Sequence, residues 1–329
     1  MDFSNLKELM DNFVSEGHAP GTTIKVYIDN KEAFGYSSGY SDTENEREMQ
    51  GDEYFFLYSC SKITTVTAGV QLLERGLISL DDPLYDYIPE YRDMYIKTES
   101  GETVKAKKDI KIRNLFNMTA GLTYDIKSDG INRARELTDG EMDTATVARC
   151  IAIDLLSFEP GEKFGYSLCH DVLGGLVSVV TGKKFRDYVR ENIFEPLEMN
   201  KSVYHMTEEA MKKMAAQYRF VPNESDGTLD IVEAQRSGRA ERGKYVNVGL
   251  TNTHILGEEY DSGGAGIIST VPDYIKLASA LANHGLGHNG ERILLPASVD
   301  LMRTNTLREK QLESFSWKQH TGTSLETRI

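Results

Sequence analysis

Cysteine is scarce in this chain. Cys60, Cys150 and Cys169 are the three among 329 residues. An odd count without metal-type spacing argues against a disulfide framework and for free thiols in a reducing compartment. Long apolar runs are absent as well, and no stretch approaches the roughly 20 residues of a membrane-spanning helix. The N-terminal "MDFSNLKELMDNFVSEG" is acidic and amphipathic, without the basic head and apolar centre of a signal peptide. A cytoplasmic protein that does not engage a membrane is expected. Positive charge is in deficit, with 37 Lys and Arg against 51 Asp and Glu and a net charge of −14. That balance argues against nucleic-acid binding, which needs basic stripes. His254, His284 and His288 are spread through loops without metal-ligand spacing, and no metal is expected.

What is present begins as helix, strand, strand. Leu6, Leu9, Met10 and Phe13 recur at helical spacing and Gly17 stops the run. Ile24, Val26 and Ile28 alternate, and Asp29-Asn30-Lys31 turns the chain into a second strand. A helix follows over 59–76. After a turn at Asp81-Asp82-Pro83 and a stop near Pro89 the chain reads mainly helical to about 245, with a polar loop and a little strand in "ESDGTLDIVEAQRSGRAERGKY". At Ser262 a glycine-rich segment leads into a further helix, where Thr270 and Asp273 have capping-box spacing. Strand-bearing ends around a helical block predict one domain interrupted by another. The expected division is a discontinuous α/β sheet domain, 1–76 with 245–329, and a mainly helical domain, 77–244.

The stretch "YFFLYSCSKITTVTAGVQLLERG" holds a lysine one turn into a helix that reads as buried. A buried ammonium is costly unless it is paired or put to use. Ser-x-x-Lys itself is cheap, since Ser4 and Lys7 repeat it on the polar face of the first helix. Ser59 and Lys62 differ in their surroundings: Ile63, Val66, Ala68, Val70, Leu72 and Leu73 leave almost no polar face. Residues three apart share one side of a helix. A serine hydroxyl needs a base beside it to become a nucleophile, and a helix N-terminus offers a backbone N–H to a developing oxyanion. The bland alternative is a serine-rich cap with a snorkelling lysine. Cys60 points about 100° away from Ser59 around the helix and is expected in the core. His170 is expected to cap its helix together with Asp171. Gly263, Gly264 and Gly266 precede no Lys-Ser/Thr, so they predict a tight turn against the site helix rather than a phosphate cradle.

"FFLYSCSK" resembles the first motif of the serine β-lactamase and penicillin-binding-protein superfamily. Segments similar to its class C-like branch follow in family order: "LLERGLISLDDPLYDYIPEY", "IKIRNLFNMTAGLTYD", "FEPGEKFGYSLCHDVLGGLVSVVTGKKFRDYVRENIFEPLEMNKSVY" and "YDSGGAGIISTVPDYIKLASALANHG". The resemblance covers residues 20 to 305 or so. It implies an α+β, β-lactamase/transpeptidase-like fold, with an antiparallel sheet flanked by helices plus an all-helical domain and the site between them. It also implies Ser59 as nucleophile, Lys62 as its partner, and Tyr166 as a proton shuttle at the family's Tyr-x-Asn position, with no organic cofactor. Leu168 stands where that motif carries asparagine, which tilts the expectation from β-lactams and peptides toward esters.

The family's third motif is Lys-Thr-Gly or His-Thr-Gly on the strand that walls the site. His320-Thr321-Gly322 matches it, but no glycine-rich strand precedes it and the sequence ends at Ile329. Either this is the motif with a shortened end, with Thr323 N–H as second oxyanion donor, or it is an accidental match and the last strands are missing. The expectation is an esterase-like serine hydrolase that cleaves small esters or amides through an acyl-enzyme. A β-lactamase or D-amino-acid peptidase is the second reading. A truncated, non-catalytic member is the third. Nothing in the sequence indicates the oligomeric state.

Overall fold

The computed structural model describes residues 1–98, 100–222 and 243–315. The first helix, α1 (Ser4–Ser15), lies against a hairpin of β1 (Gly21–Ile28) and β2 (Lys31–Asp42). The strands pair antiparallel from Gly21 opposite Gly39 to Ile28 opposite Lys31. Asp29 and Asn30 turn the hairpin with φ of 50° and 60°. Two consecutive left-handed residues match the twist of the flanking strands, and Asp and Asn tolerate that region better than most. The Asp11 carboxylate on α1 accepts from Tyr36 Oη at 2.7 Å and Ser38 Oγ at 2.8 Å, which ties the helix to β2. A short β3 (Arg47–Glu48) pairs with the end of β2.

The chain then enters the site region. β4 (Tyr54–Phe56) pairs antiparallel with a strand far along the chain, Ile268–Thr270. A 3₁₀ turn at Tyr58–Cys60 leads into α2 (Ser61–Glu74). Beyond it stand α3 (Ile112–Phe116), α4 (Asp129–Leu137), α5 (Thr144–Cys150), α6 (Cys169–Thr181), α7 (Phe185–Val189) and α8 (Glu208–Lys213). The span 77–244 also carries strands, of which only a little strand in the polar stretch ending at Tyr245 is expected from the sequence. Tyr95–Lys97 pairs with Thr103–Lys105, and Tyr218–Pro222 with Gly243–Asn247. The last of these strands crosses the expected boundary at 244/245. Each is too short to display an alternating pattern.

The main core joins α2 to α6. Leu72 on α2 and Val172, Leu173, Leu176 and Val177 on α6 are completely buried. Full burial of a leucine stabilises by about 1.5–3 kcal/mol. A Cβ on Gly175 would lie 2.2 Å from the Ala148 methyl, so only glycine lets α6 approach α5 this closely. A Cβ on Gly69 would lie 2.8 Å from the Phe116 ring, which applies the same limit on α2.

α2 buries Ala68, Val70 and Leu72 as expected, but Ile63 is 44% exposed, and Thr64, Thr65 and Thr67 are fully buried beside them. Thr67 Oγ1 donates to Ile63 O at 2.8 Å within the helix. The helix phase therefore turns a row of hydroxyls, with Lys62, into the protein. Downstream, Thr270 caps the helix Val271–Ala282 by accepting from Asp273 N at 3.3 Å, as its spacing predicts. No helix among the described residues is long and apolar enough to cross a membrane.

Candidate active site

Ser59 sits in the 3₁₀ turn between β4 and α2 and is exposed. Tyr58, just before it, has φ of 44°. Left-handed backbone at a tyrosine costs about 1 kcal/mol or more and persists only when the surroundings hold it. Leu57 N–H donates to Ile267 O at 2.9 Å, and the Tyr58 hydroxyl donates to Gln217 Oε1. The turn's first hydrogen bond runs from Cys60 N–H to Leu57 O, which leaves Ser59 N–H ahead of it. Cys60 is exposed rather than in the core, because the 3₁₀ turn departs from the α-helical phase assumed for it.

Three expected residues come together. Ser59 Oγ and Tyr166 Oη are 2.6 Å apart. Lys62 Nζ donates to Ser59 Oγ at 3.3 Å and stands 4.8 Å from the centre of the Tyr166 ring. Ser59 and Lys62 are local neighbours on one side of the turn and α2. Tyr166 arrives from 107 residues away on the segment that opens α6. The α2–α6 core contact is what aligns the two starts. Lys62 is only 7% exposed, and its shorter hydrogen bond, 2.6 Å, goes to Gly264 O. Lys7, the chance copy, is exposed on α1.

The glycine-rich segment forms the tight turn expected of it. Thr65 Oγ1 donates to Gly263 O at 2.7 Å, one peptide before the lysine's acceptor. A Cβ on Gly263 would lie 2.2 Å from His170 O, and one on Gly264 2.5 Å from Asp171 Oδ2. The turn therefore fits between α2 and the start of α6 only without side chains at these positions.

Asp171 is not a helix cap. It is 3% exposed, and its Oδ1 accepts from Tyr260 Oη at 2.9 Å, Ser262 Oγ at 2.7 Å and Gly264 N at 3.2 Å. His170 does not cap either. Its Nε2–H donates to Phe116 O at 3.2 Å, and its buried Nδ1 has no partner among the described residues. Burial pushes the His170 imidazole down to about 4, against a small upward pull from the Phe116 carbonyl; Lys62 lowers it further.

Two rings at the rim are not expected at the site from the sequence: nothing there singles out Tyr124, and His254 is read only for metal-ligand spacing. Tyr124 lies 5.3 Å from the Tyr166 ring, and its ring centre is 5.8 Å from Lys62 Nζ. Burial raises its phenol well above the usual range. His254 lies 5.5 Å from Tyr124 and 6.5 Å from Tyr58. Burial lowers its imidazole, with Asp171 opposing and Lys62 assisting. No periodicity or spacing marks either ring, since each reaches the rim from a loop. Leu168, at the asparagine position, is 3% exposed and belongs to the main core, so it offers no polar group to a ligand. His320, Thr321, Gly322 and Thr323 lie outside the described residues. No group of three or more His, Cys, Asp or Glu among the described residues is placed to hold a metal ion.

A family model described as Beta-lactamase matches residues 6–327. Protein Rv1367c of Mycobacterium tuberculosis is 28% identical over 279 residues, which are 83% of this chain and 64% of that protein. The chain thus spans less than two-thirds of that relative's length. Among solved structures, unliganded simvastatin synthase (LovD) from Aspergillus terreus aligns with a TM-score of 0.71 and 23% identity, covering 95% of this chain and 75% of that one. EstCE1, described as a hydrolase with promiscuous acyltransferase activity, aligns with a TM-score of 0.68 and 24% identity, covering 92% and 76%. At these identities the two structures show a shared fold.

Proposed function

Starting from the membership of this chain in the Beta-lactamase family, we propose that it is a serine hydrolase that cleaves small esters or amides through an acyl-enzyme on Ser59. The observation that supports this most is the contact of Ser59 Oγ with Tyr166 Oη at 2.6 Å and with Lys62 Nζ at 3.3 Å. A hydroxyl within hydrogen-bond reach of both a phenol and an amine meets the geometric requirement for an activated nucleophile.

Ser59 Oγ attacks the substrate carbonyl carbon and its proton passes to the Tyr166–Lys62 couple. The couple serves as a base only while it lacks one proton, a property that belongs to the pair rather than to either residue. When the tetrahedral adduct collapses, the bond to the leaving oxygen or nitrogen breaks and the couple returns the proton to it. Water then attacks the acyl-enzyme, gives its proton to the couple, and Ser59 departs with that proton. Ser59 N–H, at the start of the turn, is our candidate for the first oxyanion donor.

Esters are the preferred class. The apolar Leu168 puts no side-chain amide at the position family members use to orient an amide carbonyl. Labelling with a fluorophosphonate probe, which disappears in Ser59→Ala, is the expected result. Labelling that survives this substitution, or no labelling of the folded chain, removes the catalytic claim. Turnover of p-nitrophenyl butyrate is expected to exceed that of nitrocefin; the reverse order favours a β-lactamase or D-amino-acid peptidase.

A further inference from the structure

Lys62 is a buried cation whose hydrogen bonds among the described residues go to a hydroxyl and a carbonyl rather than to a carboxylate. Burying an ammonium without compensation costs several kcal/mol. A carboxylate is joined to it through a serine hydroxyl and one peptide group. Asp171 Oδ1 accepts from Ser262 Oγ at 2.7 Å. Ser262 Oγ in turn accepts from Ala265 N–H at 3.0 Å. That N–H belongs to the same peptide as the Gly264 carbonyl, which accepts from Lys62 at 2.6 Å. Asp171 also accepts from Gly264 N–H, on the preceding peptide, at 3.2 Å. The peptide that anchors the lysine is therefore held by its own N–H and by the one before it.

We infer that Asp171 is a positioning residue for Lys62: through Ser262 and the Gly264–Ala265 peptide it aims the ammonium at Ser59 and supplies its counter-charge. A peptide is planar, so fixing the direction of Ala265 N–H fixes that of Gly264 C=O on its opposite side. Asn252 Nδ2 secures the far end of the turn by donating to Ala265 O at 2.8 Å. The missing Cβ atoms at Gly263 and Gly264 let this turn sit against His170 and Asp171 at all. Alignment by hydrogen bonds along a planar group is sensitive to small shifts, and a displacement of about 1 Å at a catalytic group can cost 100-fold in rate.

This inference rests on the serine-hydrolase reading, so its test carries one readout that needs no turnover. The titratable groups around the turn include Lys62 on α2, His170 on α6, Tyr260 and Asp261 at the turn's base, Tyr204 against Gly266, Tyr166 and Tyr124 across the site, and His254 at the rim. The titration of Lys62 is followed by NMR of its ¹³Cε, assigned with Lys62→Met, in wild type and Asp171→Asn. The lost carboxylate is expected to move the Lys62 midpoint to lower pH. The acid limb of kcat/KM for p-nitrophenyl butyrate moves the same way, and kcat falls by about 10- to 100-fold. A folded Asp171→Asn with wild-type Lys62 titration and wild-type kcat overturns the inference. Where Asp171→Asn does not fold, Ser262→Ala decides. It keeps the carboxylate but cuts the link to Ala265 N–H, and is expected to lower kcat by about tenfold at constant KM; unchanged kcat overturns the inference. A shifted Lys62 midpoint in a chain that no fluorophosphonate labels upholds the role of Asp171 and defeats the hydrolase reading instead.

Discussion

Lys62 Nζ lies 2.6 Å from the carbonyl oxygen of Gly264, closer than the 3.3 Å that separates it from Ser59 Oγ. The lysine is thus anchored to a turn 202 residues away and shares its remaining donors with the nucleophile. Lys62→Met is expected to lower kcat/KM for p-nitrophenyl butyrate by about a thousandfold. Lys62→Arg is not expected to rescue it, because a planar guanidinium cannot serve as a compact proton acceptor. Lys62→Met also leaves the Gly264 carbonyl unpaired and the buried Asp171 carboxylate without its counter-charge, so a lower Tm than wild type is expected in thermal melts. An unchanged Tm would contradict the counter-charge role of Asp171.

Tyr166→Phe keeps the ring beside Lys62 and removes only the hydroxyl that touches Ser59. A fall of about 100-fold in kcat at constant KM is expected from steady-state ester hydrolysis. A change confined to KM would mean that the tyrosine packs the substrate and moves no proton.

His170 makes acid stability measurable. Its imidazole is held at about 4 in the folded chain by burial, against an ordinary value of 6.5. Between those pH values the unfolded chain binds a proton that the folded one refuses, so stability falls as pH drops through that window. Above pH 6.5 both states are neutral at this residue and it adds no pH dependence. Going from pH 7.5 to 4.5, the loss from His170 amounts to about 2–3 kcal/mol. Urea denaturation of wild type and His170→Met at both pH values should show the difference shrinking by about that amount in the variant.

Leu168 tests what the asparagine position does here. Buried in the core, it should not accept a polar replacement without loss. Leu168→Asn is expected to lower stability by about 1–3 kcal/mol in denaturant melts, without creating nitrocefin turnover. A gain of nitrocefin turnover would show that this position reaches the substrate.

Short-range geometry was legible in the sequence. Three-residue spacing alone puts Ser59 and Lys62 on one side of the chain, Asp29-Asn30 announces its hairpin turn, and Thr270 and Asp273 announce a helix start. These depend on backbone torsions and on neighbours a few residues apart. The phase of α2 was less legible, because a helix with apolar residues almost all round does not reveal which side faces inward. Tertiary packing buried Thr64, Thr65 and Thr67 along with Ala68, Val70 and Leu72 and left Ile63 in solvent.

The sequence by itself determined the element order, the family resemblance and the local Ser59–Lys62 pair. Only the tertiary structure decided what the buried lysine touches. Gly264, Asp171 and Tyr166 reach it from other segments, and Tyr124 and His254 line the rim from loops with no periodic signal. Asp171 reads locally as a residue in the first turn of a helix. Its acceptance of three hydrogen bonds from residues 260–264 depends on how closely two glycines let that turn approach, a steric condition that spacing along the chain does not express.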